Sequence, residues 1–192
     1  MVLMNQMLIY GRLIKFSHTV FALPFALAAV LLAHRQYPVR FSTLCWILAA
    51  MASARSAAMG FNRYVDYEYD RRNPRTAMRP LTAGQIDKKS VLLFVLISSS
   101  LFLFSAAMLG RTCLVLSVPV LLVLFVYSYT KRFTSLSHLV LGLAIGLAPA
   151  GAWIACSGGL DMRILPLSLA LMAANSPAMP PPEDVSVKVR LA

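Results

Sequence analysis

Acidic residues are scarce in this chain. Seven Asp and Glu stand against eighteen Lys and Arg, and the four types together make only 13% of 192 residues. A soluble domain carries nearly twice that charged fraction, about 25%. With 59% hydrophobic residues and a mean hydropathy of +0.71, the composition excludes a soluble globular domain and indicates an integral membrane protein of single-domain length. The net charge of +11 does not imply nucleic acid, because the bases lie between apolar segments rather than along one polar face. Positive-inside anchoring and contact with anionic membrane lipid account for them. Cysteine is sparse too. Cys45, Cys113 and Cys156 lie in or beside apolar segments, without metal-ligand or redox spacing, and read as small buried residues. His18, His34 and His138 are equally scattered and form no metal-binding pattern. The first apolar segment ends in Leu31-Leu32-Ala33, a poor cleavage site, so it reads as a retained helix rather than a leader.

What the chain has is long apolar runs. A membrane span needs about 20 such residues. Helices are expected at roughly 13–33, 42–62 (running on toward Asp70), 90–109, 112–130 and 137–157, with a sixth stretch near 162–174 too short to span. The expected fold is all-α, a polytopic transmembrane helical bundle. Pro24, Pro119, Pro149 and Pro166 fall in or beside these helices, as membrane helices tolerate. Gly142-x-x-x-Gly146 reads as a close helix-packing motif. Eleven Lys and Arg cluster at one set of helix ends (Arg12, Lys15, Arg63, Arg71, Arg72, Arg75, Arg79, Lys88, Lys89, Lys131, Arg132) and four at the other (Arg35, Arg40, Arg111, Arg163). The bias puts the first set, with the N-terminus, in the cytoplasm. Residues 1–174 are expected to form one membrane domain, and the proline-rich 175–192 a disordered tail.

The most informative segment is Asn62-Arg63-Tyr64-Val65-Asp66-Tyr67-Glu68-Tyr69-Asp70. Each step of four residues along a helix leaves an offset of about 40°, so Asn62, Asp66 and Asp70 share a face. Two hard carboxylates one turn apart suit Mg²⁺ held between protein and a substrate phosphate. Arg71, Arg72, Arg75 and Arg79 follow at once. Carboxylates for a metal and arginines for an anion, both at a membrane surface, point to a lipid diphosphate; the alternative is a solvated loop whose carboxylates neutralise the nearby arginines. Glu68 lies on the opposite side of the helix and reads as surface.

Arg55 sits inside the second apolar helix, seven residues before Asn62 and two turns back on nearly the same face. An arginine at a helix centre costs roughly 2.5–3.5 kcal/mol on the insertion scale, so it should face a cavity or partner. There it suits bidentate pairing with a substrate carboxylate; the alternative is an arginine that snorkels to the interface. Tyr127 and Lys131, four residues apart, share a face at the cytoplasmic end of the fourth helix. They read either as interfacial anchors or as a second clamp on the diphosphate.

Asn62, Asp66 and Asp70 meet the Asn-x-x-x-Asp-x-x-x-Asp signature of the UbiA-type intramembrane aromatic prenyltransferases. The run from Arg55 through Arg79-Pro-Leu-Thr-Ala-Gly84 closely resembles the bacterial 4-hydroxybenzoate polyprenyltransferases, and Leu136–Ala155 resembles them as well. Tyr127 and Lys131 resemble a tyrosine–lysine pair that the family uses at the diphosphate. The resemblance implies a Mg²⁺-dependent polyprenyltransferase of quinone biosynthesis, acting on polyprenyl diphosphate and an aromatic carboxylic acid. It also implies a multi-pass protein of the bacterial inner membrane. Asp66 and Asp70 would then be catalytic through the metal, and Asn62, Arg63, Arg71, Arg75, Arg79, Tyr127 and Lys131 would bind diphosphate. Arg55 or Lys15 would meet the acceptor's carboxylate. The helix-one run Lys15–Ala26 resembles a branch whose acceptor is either 4-hydroxybenzoate or a hydroxynaphthoate precursor of menaquinone.

The family fold has about nine helices and a second aspartate-rich motif, of which five to six helices and one motif are expected here. Similarity stops near Met172, where a proline-rich tail follows. The chain therefore resembles the N-terminal portion of such an enzyme, expected to have little or no transferase activity as it stands. The alternative expectation is a non-catalytic membrane protein that binds a lipid diphosphate.

Overall fold

A computed structural model describes residues 9–13, 16–133, 137–159 and 162–174, all of it helix and connecting turn. Residues 9–13 are helical. They are followed by α1 (Phe16–His34), α2 (Phe41–Arg72), α3 (Lys88–Leu109), α4 (Arg111–Phe133), α5 (Ser137–Ser157), a 3-10 turn (Met162–Ile164) and α6 (Leu165–Ala174). The five longer helices coincide with the five expected spans. Among the described residues, Phe41–Arg72, Lys88–Leu109 and Arg111–Thr130 are each long and apolar enough to cross a membrane. The expected tail 175–192 and Lys15 lie outside the described residues.

The helix limits have local causes. Asn73 precedes Pro74 and is extended (φ −100°, ψ 117°), because the proline ring disfavours a helical conformation in the residue before it. Gly110 separates α3 from α4 at φ 133°, a conformation that L side chains rarely adopt. Its N–H donates to the carbonyls of Ala106 and Ala107. Arg71 and Arg72 stand in the last turn of α2, where cations offset the helix dipole.

Three apolar clusters hold the bundle. Ala29, Ala33, Ile47, Trp153 and Ile164 join α1, α2, α5 and the 3-10 turn. Ala50, Ala57, Phe102 and Leu121 join α2, α3 and α4. Leu13, Leu81 and Val91 join the helical 9–13 stretch to the turn after α2 and the start of α3. Leu93, Leu96, Ile97, Phe104 and Met108 of α3 are more than half exposed, as are Val115, Val118 and Leu122 of α4. Their helical spacing makes apolar stripes along the outer faces of α3 and α4.

Gly142 and Gly146 let α6 lie directly against α5. A Cβ at Gly142 would stand 2.7 Å from the Met172 carbonyl oxygen, and one at Gly146 would stand 2.8 Å from that of Ser168. The small-residue motif therefore works by admitting backbone, as close packing of membrane helices requires. At ten residues, α6 is only about 15 Å long, half the hydrocarbon thickness.

Candidate functional site

The 32 residues of α2 measure about 48 Å, against roughly 30 Å of hydrocarbon. Its apolar part begins near Phe41, so its polar last turns, with Asn62, Asp66 and Asp70, reach the bilayer surface. Asp66 and Asp70 are both buried, each 9% exposed. Arg79 reaches back from the following turn and places its guanidinium 2.5 Å from Asp70 Oδ2. Arg63 approaches the same oxygen at 4.0 Å, and its Nε donates to the Leu13 carbonyl at 3.5 Å.

Hydroxyls fold the turn that carries Arg79. Asn73 Oδ1 accepts the Arg75 N–H at 3.0 Å, the side-chain turn that Asn favours. Thr76 Oγ1 donates to the Asp70 carbonyl at 2.9 Å. Thr82 Oγ1 donates to the carbonyls of Thr76 and Arg79. Leu81, 4% exposed, anchors the turn in the cluster with Leu13 and Val91. Neither threonine was singled out from the sequence. The signal for them is the Asn-Pro turn opening at residue 73, whose backbone groups need hydroxyl partners.

Beneath the carboxylates, α2, α3, α4 and α5 line an open cavity of about 580 Å³. Its lining is mostly apolar, with small residues such as Ala54, Ala58 and Ala148, and its polar residues include Arg55, Asn62 and Tyr127. The described lining on α2 ends at Asn62, so Asp66 lies one turn (about 6 Å) beyond it and Arg55 about 10 Å below. Arg55 Nε is buried with no hydrogen-bond partner among the described residues.

Other expected site residues take different places. Glu68 is exposed and pairs with Lys88 Nζ at 3.4 Å, away from the carboxylate face. Lys88 also stands 3.8 Å over the Tyr67 ring, a cation–π contact. Arg71 and Arg75 are exposed and do not line the cavity. Lys131 lies on α4 one turn beyond Tyr127; its side chain is outside the described part. Phe61 meets Phe125 at 4.4 Å and Tyr129 at 6.0 Å between ring centroids, fixing α4 against α2 beside the cavity mouth.

No group of three or more His, Cys, Asp or Glu converges among the described residues. That excludes a metal cage built from the described side chains alone. Two buried carboxylates on one helix face fit Mg²⁺, which keeps several waters and takes one or two carboxylates plus phosphate oxygens. Asp66 and Asp70 would hold it, with Arg79 giving up its place at Asp70.

The profile of the UbiA prenyltransferase family matches residues 22–179. A 4-hydroxybenzoate octaprenyltransferase from Vibrio cholerae is 38% identical over 142 residues, 73% of this chain and 49% of the relative. The chain thus spans about half the length of the curated relatives it matches. An apo UbiA homolog from Aeropyrum pernix superimposes with a TM-score of 0.73 at 35% identity, covering 83% of this chain and 59% of that one. A UbiA homolog from Archaeoglobus fulgidus bound to DMAPP and Mg²⁺ shares the fold, with a TM-score of 0.72 at 18% identity over 86% and 60% of the two chains.

Proposed function

The chain belongs to the UbiA prenyltransferase family, and from that premise we propose that its described residues form the diphosphate-binding part of a Mg²⁺-dependent polyprenyltransferase. The donor is an allylic polyprenyl diphosphate. The acceptor is an aromatic acid such as 4-hydroxybenzoate, the substrate in the name of the Vibrio cholerae relative. The observation that carries this reading is the junction of two buried carboxylates with a largely apolar cavity into which Arg55 brings a buried Nε that has no hydrogen-bond partner among the described residues.

Each group then has a task. Asp66 and Asp70 bind Mg²⁺, which supplies Lewis-acid compensation for charge on the departing diphosphate. Asn62 and Tyr127, at the cavity's polar residues, and Arg79 offer donors to its oxygens. Arg71 and Arg75, exposed beside the site, raise the local concentration of anions. Arg55 takes the acceptor's carboxylate through charge-assisted hydrogen bonds. The allylic C–O bond breaks, and a ring carbon ortho to the phenol forms the new bond. That carbon then loses its proton. The apolar walls exclude water that would quench the allylic cation. Arg63, bound to Leu13 and Asp70, serves as a positioning residue. The eleven-to-four distribution of bases favours an inner-membrane protein with the aspartates on the cytoplasmic side.

A second reading is favoured by the small donor set. With two carboxylates on this face among the described residues and one of them engaged by Arg79, the chain binds a lipid diphosphate with little turnover of its own. The test is geranyl diphosphate binding to the detergent-solubilised chain with and without Mg²⁺, beside a prenyl-transfer assay in membranes. Mg²⁺-dependent binding is expected, lost in Asp66→Ala, with transfer barely above that variant. Binding unchanged by Asp66→Ala refutes the site. Turnover comparable to a relative of full length refutes the second reading.

A further inference from the structure

We propose that Arg79 closes the metal site until a diphosphate arrives, so that Mg²⁺ and diphosphate bind cooperatively through this one side chain. The inference rests on Asp66 and Asp70 being the metal–diphosphate site, and concerns how that site is kept when empty. In the free chain the Arg79 guanidinium lies 2.5 Å from Asp70 Oδ2, in the space a cation needs. A cation arriving alone must displace a charge-assisted hydrogen bond, among the stronger kind. A diphosphate offers the displaced guanidinium a replacement anion on the same face.

Three features suit Arg79 to that role. First, its side chain is 28% exposed against 12% for Asp70, so it has solvent on one side into which to turn. Second, the turn beneath it is held independently of the ion pair. Thr76 binds the Asp70 carbonyl and Thr82 binds the carbonyls of Thr76 and Arg79, so the side chain can leave while the backbone stays. Third, Arg63 remains 4.0 Å from the same Asp70 oxygen with a side chain only 7% exposed. Releasing Arg79 therefore does not strand a buried carboxylate, which would be costly. Arg63 is the fixed counter-charge and Arg79 the movable one.

The consequence is linkage. Each ligand weakens the Arg79–Asp70 pair that opposes the other, and such coupling is reciprocal. Magnesium alone should bind poorly, and the site should fill only when both components are present.

The experiment measures Mg²⁺ affinity by calorimetry on the detergent-solubilised 192-residue chain, with and without saturating geranyl diphosphate. It compares the wild type with Arg79→Gln, Arg79→Lys and Asp70→Asn. Arg79→Gln is expected to bind Mg²⁺ alone about tenfold tighter than wild type, and diphosphate to enhance Mg²⁺ binding about tenfold less. Arg79→Lys keeps a cation at Asp70 and should stay near wild type. Equal or weaker Mg²⁺ binding by a folded Arg79→Gln overturns the proposal. A second measurement needs no folded Gln variant: the Arg79 Nε–Hε NMR signal in the wild type should shift when geranyl diphosphate and Mg²⁺ are added together. A signal that does not move overturns it as well. If Mg²⁺ binding is lost in Asp70→Asn yet Arg79→Gln binds no tighter, only the role of Arg79 falls. If Mg²⁺ binds at neither aspartate, the metal site falls with it.

Discussion

Replacing Arg55 with methionine should make the chain more stable and its acceptor binding worse. Arg55 Nε is buried without a hydrogen-bond partner among the described residues, in a cavity whose lining is mostly alanine, leucine and similar side chains. A buried unsatisfied polar group costs about 1–3 kcal/mol, and arginine cannot shed its proton to escape the cost. Methionine keeps the length and packing of the stem while removing the charge. The expected gain without ligand is therefore about 1–3 kcal/mol. At roughly 2–4 °C per kcal/mol for a chain of this size, the thermal midpoint in detergent should rise by about 2–12 °C. On the proposed function, the same change removes a charge-assisted contact to an acceptor's carboxylate, worth about 1.5–3 kcal/mol, or roughly 10- to 150-fold in affinity. Calorimetry with 4-hydroxybenzoate and its neutral analogue 4-hydroxybenzyl alcohol separates charge recognition from ring packing. Wild type should prefer the acid and Arg55→Met should not. A lowered midpoint in the absence of ligand refutes the reasoning, because it means Arg55 contributes structure rather than stored binding capacity. A retained preference for the acid refutes the assignment of the carboxylate to Arg55.

Two further outcomes follow from the packing. Gly142→Ala with Gly146→Ala sets two Cβ atoms under 3.0 Å from backbone oxygens of α6, and overpacking of this kind costs about 1–3 kcal/mol; thermal unfolding should occur earlier, and an unchanged midpoint would show that α6 does not dock there. Arg63→Met removes the donor to the Leu13 carbonyl while Arg79 still compensates Asp70, so amide exchange in residues 9–13 should accelerate severalfold with a stability loss of about 1–2 kcal/mol; unchanged protection of that stretch refutes the tether.

Much of the bundle was legible because a membrane simplifies the problem. Length and apolarity alone identify spans when the solvent is hydrocarbon, and the five longer helices fall where the apolar runs lie. The shared face of Asn62, Asp66 and Asp70 was legible because periodicity is local. The depth of Arg55 was legible from the same arithmetic. What could not be read was the side-chain path of each base. Arg63, Arg71, Arg75 and Arg79 look alike in sequence, yet Arg63 is buried, Arg71 and Arg75 are exposed, and Arg79 turns back nine residues onto Asp70. That difference depends on how Thr76 and Thr82 close the turn and on Leu81 entering a cluster with Leu13, contacts spread over nearly seventy residues of chain. The use of the Gly142 and Gly146 clefts by the carbonyls of Met172 and Ser168 was hidden for a similar reason. The motif announces a close neighbour without naming it.

Helix α2 carries Arg55, Asn62, Asp66 and Asp70 on one uninterrupted rod. From Arg55 to Asp66 the rise is about 16 Å, set by backbone hydrogen bonds rather than by adjustable packing. The rod is a ruler. In the proposed reaction, metal-bound diphosphate at one mark and acceptor carboxylate at the other must leave the two reacting carbons within bonding reach between them. An acceptor one ring longer changes the count, and the ruler cannot stretch to suit it. A single residue inserted between Arg55 and Asn62 would add only about 1.5 Å but rotate one mark by about 100° relative to the other, so the graduations would no longer lie along one edge.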